Sequence, residues 1–308
     1  MKLVKQRILG GFLTRDEVLA QAQSLSAMPD VASKRKFWED FKAAHAFRAT
    51  LTPVALPAPA TSALPGDAAA HLAAIEESDA FQESFGGVTY RFEYVNLEAL
   101  QPVQLFTNVE PKLSPPDASD LAALLSYCLP IDARIPADVR VTPSGVQFAT
   151  DRYGHGPQNL RRRIVNGQVH LSFEHPNLLQ VVRFKATLNG TVPVDRLIVL
   201  NGNHRAFELL AAGHKRAPAL VIEVNDIGVL ASMCPQGPGF WNTNFLLGAG
   251  TPLQPNNPRP ALMSDFLTPL AIECLCVLVP SIVDVAVGVP PPASGANQPI
   301  AIQVRQAP

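Results

Sequence analysis

Neither sign of charge is in excess in this sequence. Its 308 residues carry 25 Lys and Arg against 26 Asp and Glu, a formal charge of −1. That balance excludes a protein that coats nucleic acid through a global positive field. Cysteine is scarce, with Cys128, Cys234, Cys274 and Cys276 only. Their spacing fits neither a zinc ribbon nor a Cys-x-x-Cys redox pair, and no disulfide framework is implied in a chain of this length. The Cys-Leu-Cys pair reads as small buried thiols on one side of an apolar strand. Long hydrophobic runs are missing too. The most apolar stretch, 266–283, is interrupted by Pro269, Glu273 and Pro280. A spanning helix needs about 20 apolar residues, so no membrane segment is expected. The basic N-terminus is broken by Arg7 and lacks a signal-peptide pattern, which leads to the expectation of a cytoplasmic protein. There is no Gly-x-x-x-x-Gly-Lys-Ser/Thr phosphate loop, no His-Glu-x-x-His zinc helix and no Gly-x-Ser-x-Gly elbow.

What the chain has in plenty is apolar residues, 47% of the total, and 29 prolines. The first excludes wholesale disorder. The second is about twice the usual ~5% and marks connectors, because proline breaks helix interiors and central strands. Proline is dense at 53–65, 111–143, 235–260 and 289–308, and absent from 194–217. The resulting organisation is an N-terminal helical region over 1–50, a Pro/Ala linker over 51–66, a mixed α/β region over 67–159, an α/β module over 160–226 and a Pro/Gly-rich C-terminal region over 227–308. The fold class is α+β.

Within this frame, Thr14 and Glu17 match a capping box that opens a helix. Phe37, Trp38, Phe41, Ala44 and Phe47 fall near helical spacing over Ser33–Phe47. Lys34-Arg35-Lys36 opens that helix, as a solvated end or as a phosphate contact. Short helices are predicted over Asp67–Ser78 and Asp117–Cys128, and a strand over 88–96. Asn166-Gly167 signals a hairpin, and Asn189-Gly190 a second turn after the strand 178–188. Pro193–Leu200 reads as a strand, Ala206–Ala212 as a helix capped by Gly213, and Ala219–Val224 as a buried strand. This unit has the size of a β-α-β crossover.

The chemistry concentrates in Asn201-Gly202-Asn203-His204-Arg205, between the strand and the helix. A helix that starts straight after a glycine turn leaves backbone N–H groups and a dipole that favour an anion. Gly202 permits close approach or positive φ. Arg205 can clamp a phosphate or carboxylate, and His204 can donate a hydrogen bond or work as acid or base near neutral pH. Glu208, four residues after His204, shares its helix face and is a candidate base or metal ligand, or else a solvated residue.

The stretch from Leu197 to Val224 resembles the core motif of the ParB/sulfiredoxin superfamily. Gly202, Asn203, His204 and Arg205 match its turn, Leu209, Leu210 and Gly213 its helix and cap, and Pro218–Val224 the next strand. The resemblance, extended over about 160–226, implies a ParB/sulfiredoxin-like module. Asn201, Gly202, Asn203, His204 and Arg205 would bind ATP or another nucleotide, with Mg²⁺ as companion ion, and His204 and Glu208 would serve catalysis. The reaction implied is phosphoryl transfer or hydrolysis, with a small-molecule or protein acceptor. Asn203 stands where sulfiredoxin chemistry needs a reactive cysteine, which excludes that reaction. Arg259 is the sole basic residue between 227 and 304, so the DNA-reading domain of a segregation clamp has no counterpart. Asn201 in place of aspartate weakens a metal role there, and no protein metal ligand is assigned. Alternatives are a non-catalytic binding or assembly protein, including a homo-oligomer, and a DNA-binding or nuclease relative, which the charge balance disfavours.

Further groups have functional and structural readings that both stay open. Arg183 and Lys185 share a strand face, Arg161-Arg162-Arg163 precedes the first hairpin, and Glu174-His175 precedes Pro176. Asp151–Gly156 is a polar loop, His214-Lys215-Arg216 follows a helix end, and Phe240, Trp241 and Phe245 form an aromatic group that could stack bases but is better read as packing or a partner surface.

Overall fold

The computed structural model describes residues 2–20, 30–51, 57–109, 114–134, 137–142, 145–150, 160–165, 168–188, 192–233, 260–278, 281–287 and 302–306. The fold is mixed α+β. In chain order the elements are β1 Lys2–Ile8, α1 Arg15–Ala20, α2 Val31–Thr50, β2 Thr61–Ala63, α3 Ala69–Glu76, α4 Asp79–Phe85, β3 Tyr90–Asn96, β4 Leu100–Pro102, β5 Phe106–Asn108 and α5 Leu121–Cys128. Then come β6 Asp138–Thr142, β7 Gly145–Thr150, β8 Leu160–Val165, β9 Gln168–Phe173, β10 Gln180–Leu188, β11 Val192–Asn201 and α6 Asn203–Ala211. The last are β12 Arg216–Val224, α7 Ile227–Met233, β13 Ile272–Leu278, β14 Ser281–Val287 and β15 Ile302–Gln306. No helix among the described residues is long and apolar enough to cross a membrane.

The chain divides into two compact units. The larger comprises Leu3–Ile131 and Asn177–Val277, the smaller Met1–Lys2, Asp132–Pro176 and Leu278–Pro308. In the smaller unit β15-β14-β7-β6 form an antiparallel sheet, and β8 pairs with β9 as a hairpin. Val165 faces Gln168 there, so two residues connect the strands, as Asn-Gly dictates. That turn itself lies outside the described residues.

The larger unit is built on a six-stranded sheet in the order β2-β3-β12-β10-β11-β4. Its central strands are apolar on both faces: Val181, Val182, Phe184, Leu197, Ile198, Val199, Leu220 and Val221 are buried. Strands read in this way when both faces are covered. Pro218 sits in β12 opposite Tyr94 of β3, outside the Leu220–Val224 stretch that pairs with β10. A missing N–H there costs no hydrogen bond to β10. The unit around α6 is not a β-α-β crossover. β12 lies beyond β10, parallel to it, while β10 is antiparallel to β11. Hence β11 and β12 are not neighbours and run in opposite directions, because the β10–β11 hairpin occupies the place a crossover would fill.

A second, three-stranded sheet has the order β13-β1-β5. Residues 2–8 are thus a strand, whereas the sequence reading placed a helical region from residue 1. Ile8, with Val4 against it, joins Phe37, Phe41, Ala44, Ile272 and Cys274 in one apolar cluster, while Lys5 and Arg7 alternate with them. Side chains cap the helices that follow, the first through the Thr14–Glu17 box read in the sequence. The Thr14 backbone N–H donates to Glu17 Oε2 at 2.6 Å and the Glu17 N–H to Thr14 Oγ1 at 3.2 Å. Asp30 accepts from the Ser33 N–H at 2.6 Å and opens α2.

His45 of α2 places Nε2 2.9 Å from the Leu13 carbonyl oxygen. A carbonyl only accepts, so Nε2 carries the proton. Burial holds this imidazole below its ordinary pKa, outweighing the Leu13 contact. The sign follows: the stability it confers is present above about pH 6.5 and is lost as pH falls through the lowered folded value. Urea titrations near pH 7.5 and near pH 5 are expected to show a smaller loss on acidification in His45→Gln than in wild type. Equal losses would remove His45 from the acid response.

Candidate functional site

The site begins where β11 runs out. Leu197, Ile198 and Val199 are fully buried, and Asn201 faces Gln180 across a register shift between Gln180 and Val181. Gly202 then takes φ +89°, and α6 starts at the next residue with no side chain capping its N-terminus. Two constraints meet at Gly202. Its φ is left-handed, and a Cβ would stand 3.0 Å from Leu179 Cδ1 and 3.2 Å from Leu179 Cα. The helix opens three residues earlier than its apolar pattern suggests, because the glycine reverses the chain at once.

α6 buries Asn203, Ala206, Phe207, Leu209 and Leu210, and Phe207 meets Phe266 edge-on at 5.8 Å. It ends in a Schellman motif. Gly213, at φ +91°, donates to Leu210 O, and His214 donates to Leu209 O, each at 3.0 Å. Both ends of the helix are therefore fixed by glycine, which fixes the presentation of its first turn.

Asn203 is 3% exposed, and its Oδ1 has no hydrogen-bond partner among the described residues. A buried acceptor left without a donor costs about 1–3 kcal/mol, so a donor supplied by a ligand or by water would be stabilising. Next to it, half-buried His204 has Nδ1 2.9 Å from Thr107 Oγ1 of β5. Either partner of that contact can be the donor. It orients the imidazole and puts Nε2 on the opposite edge of the ring. Phe106 flanks the ring at 6.5 Å.

Arg205 points its chemistry elsewhere. Nη1 donates to Asn177 O at 3.0 Å and to Cys128 O at 3.2 Å. Cys128 is the last residue of α5, so the guanidinium sits on a carbonyl at a helix C-terminus, where a cation is favoured. The same Cys128 carbonyl accepts from the Leu179 N–H at 2.7 Å. Arg205 thus ties α6 to the end of α5 and to the segment entering β10. Its Cζ also lies 5.8 Å from the centroid of Tyr127. Tyr127 in turn donates its hydroxyl to Glu208 Oε2. Burial first, and the Glu208 hydrogen bond second, push the Tyr127 pKa far above its ordinary value. The phenol therefore remains a donor to the carboxylate throughout the neutral range. Burial likewise pushes the Cys128 thiol up to about 12, so it is not a nucleophile.

The turn thus brings Asn201, Gly202, Asn203, His204 and Arg205 together, with Glu208 one turn further on. Thr107, against His204, and Tyr127, against Glu208, are invisible to a search by motif. Their contacts span 97 and 81 residues of sequence, and no local pattern marks them. Arg183 is engaged across the sheet by Asp195, Nη2 to Oδ2 at 2.9 Å. His214 is buried, with Nε2 3.0 Å from Pro116 O. Arg161, Glu174 and His175 belong to the smaller unit. There Ser172 Oγ donates to Glu174 Oε1 at 2.6 Å, and burial holds His175 below its ordinary pKa. The 151–156 loop and Phe240, Trp241 and Phe245 lie outside the described residues. Among the described residues no three His, Cys, Asp or Glu side chains gather as a metal site.

Compared with known proteins, the chain finds no counterpart: no family model, no curated protein and no solved structure matches it.

Proposed function

We propose that the chain is a nucleotide-binding protein of the ParB/sulfiredoxin-like type. The nucleotide phosphates lie against the turn Gly202–Arg205, and phosphoryl transfer or hydrolysis is the reaction. One observation carries the reading: a left-handed glycine at the end of a central strand feeds an uncapped helix whose first residue is a buried Asn with an unsatisfied Oδ1. The helix start favours negative charge, and Asn203 accepts a donor that the described protein does not provide. His204, oriented by Thr107, donates to a phosphoryl oxygen or holds a proton. Glu208, held by Tyr127, is the carboxylate that takes the proton from an attacking hydroxyl or water. Such chemistry rests on positioning and charge stabilisation rather than on a covalent protein intermediate. Mg²⁺ would arrive with the phosphates and neutralise their charge, and Glu208 is the nearest carboxylate in sequence to the turn.

Isothermal calorimetry of the full chain with ATP, CTP, GTP and ADP, with and without Mg²⁺, tests this. One of them is expected to bind, and His204→Ala to weaken it at least about tenfold, about 1.4 kcal/mol. Glu208→Gln keeps an acceptor for Tyr127, so it should leave binding unchanged while lowering phosphate release at least about tenfold. The proposal fails if no nucleotide binds, or if His204→Ala, folded by its melting curve, binds as wild type does.

A further inference from the structure

The far end of α6 borders a concavity of about 470 Å³, around Gly213. The helix has nine residues, so this end is about 14 Å from the turn at Gly202. The volume is in the range of small-molecule pockets. Three parts of the larger unit enclose it. Tyr94 of β3 and Arg216 of β12 come from the six-stranded sheet, and Gly213, His214 and Lys215 from the connection between α6 and β12. Ala118 and Leu124 come from α5 and the segment before it. The strand register places the first pair. Arg216 faces Asn96, and Pro218 faces Tyr94. Opposed residues share a sheet face, so Arg216 and Tyr94 project from one face as diagonal neighbours, within reach of long and aromatic side chains. The connection is tied on both sides. His214 donates from Nε2 to Pro116 O at 3.0 Å, and the Leu97 N–H donates to Lys215 O at 3.0 Å.

The lining offers donors and little else that is polar. Lys215 and Arg216 are exposed, and neither has an ion-pair partner among the described residues. The Tyr94 hydroxyl has no hydrogen-bond partner among them either. Burial first, and Cys128 second, hold Tyr94 above its ordinary pKa, so it stays a phenol that can donate. Among the described residues no carboxylate lines the concavity. Asp117 adjoins Ala118, but its Oδ1 already accepts from the Ser119 N–H at 2.8 Å and from Ser119 Oγ at 2.6 Å. A cation after a helix commonly serves the last carbonyls. Here the backbone does so, because Glu208 O, Leu209 O and Leu210 O accept from the N–H groups of Ala212, His214 and Gly213. That leaves Lys215 and Arg216 free for a ligand. Exposed Ala118 and the half-buried ring of Tyr94 supply apolar surface beside them. Charge decides the kind of anion. A phosphate monoester carries about −1.5 to −2 at pH 7 and balances both cations, whereas a carboxylate balances one. Arg216 can hold two phosphate oxygens by parallel hydrogen bonds, with Lys215 as a point charge.

We propose that this concavity binds a small phosphate monoester, its phosphate between Arg216 and Lys215 with the Tyr94 hydroxyl donating, and its organic body against Ala118 and the Tyr94 ring. The site is independent of the nucleotide reading. The probe is phenyl phosphate, followed by saturation-transfer NMR on the full chain, with phenol and benzoate as comparisons. Phenyl phosphate is expected to bind saturably with a Kd below about 5 mM, and added salt should weaken it. Phenol should not bind, and benzoate should bind at least about threefold more weakly. Lys215→Gln and Arg216→Gln together should weaken phenyl phosphate at least about tenfold, and both positions are exposed, so the fold should survive. Ala118→Trp, also at an exposed position, should fill the concavity and weaken binding by a similar factor. His204→Ala should leave the affinity unchanged, which separates this site from the nucleotide turn. The proposal is overturned if phenyl phosphate does not bind by about 5 mM, or if phenol or benzoate binds as tightly. It is also overturned if the double variant or Ala118→Trp, folded by its melting curve, binds as wild type does, or if His204→Ala abolishes binding.

Discussion

Gly202→Ala is expected to lower the unfolding free energy by about 2–5 kcal/mol, from two additive sources. The left-handed backbone costs a non-glycine residue about 1–2 kcal/mol. The new methyl adds a packing conflict, because it meets Leu179 at 3.0 Å on Cδ1 and at 3.2 Å on Cα. A side-chain tip can rotate away, but the Leu179 backbone is held. Its N–H donates to Cys128 O at 2.7 Å and its carbonyl accepts from Leu220 N at 2.9 Å. Overpacking of this kind costs about 1–3 kcal/mol. Gly213 provides the matched control. Its φ, +91°, is nearly the same, yet nothing lies within 4 Å of a Cβ there. Gly213→Ala should therefore cost only the conformational part, about 1–2 kcal/mol. Denaturant titrations of the two variants check this. Equal losses would mean that close approach to Leu179 contributes nothing and that φ alone requires glycine at 202.

The contrast between these glycines also shows where sequence reasoning reaches and where it stops. Gly213 was readable as a helix cap because a Schellman motif is local: the glycine, the apolar residues before it and the break after it lie within a few positions. The β8–β9 hairpin is readable for the same reason, since a two-residue Asn-Gly connection is local; between β10 and β11 Leu188 faces Val192, so three residues intervene, and they lie outside the described residues. The strand at 2–8 was not. KLVKQRI has no clear period of its own, and it is a strand because Phe106–Asn108 and Ile272–Leu278 flank it, both remote in sequence. The crossover expected around α6 failed for a related reason. Strand, helix and strand were each in place, but their order in the sheet is set by β10 inserting between β11 and β12. Of the site, the turn itself was legible as a motif. The partners that orient it, Thr107 for His204 and Tyr127 for Glu208, arise from packing of β5 and α5 against α6 and leave no trace in spacing.

Arg205 brings both levels into one residue, and its replacement has the second large effect. Arg205→Ala should cost about 2–4 kcal/mol, because hydrogen bonds to a charged group contribute about 1.5–3 kcal/mol each. Two are lost, but unequally. Cys128 O keeps the Leu179 N–H, whereas Asn177 O loses the Arg205 donor at 3.0 Å. The Tyr127 ring also loses the cation 5.8 Å from its centroid. Arg205→Lys keeps the charge at the α5 C-terminus but replaces a planar fork with a single ammonium, so it should recover part of the loss. Denaturant titration gives this order, wild type above Arg205→Lys above Arg205→Ala; an Arg205→Ala variant as stable as wild type would show that the two carbonyls do not need this donor. The ranking bears directly on the nucleotide site. An arginine after Gly-Asn-His reads in the sequence as a phosphate clamp, yet its Nη1 already serves two carbonyls. Loss of ligand binding in Arg205→Ala would therefore mix a missing contact with a displaced α6. Nucleotide affinity measured on Arg205→Lys, below its melting transition, separates them. If the guanidinium is an anchor, affinity stays within about threefold, about 0.7 kcal/mol, while stability falls. If it also clamps phosphate, affinity falls further than stability alone can account for, because an ammonium cannot reproduce two parallel hydrogen bonds.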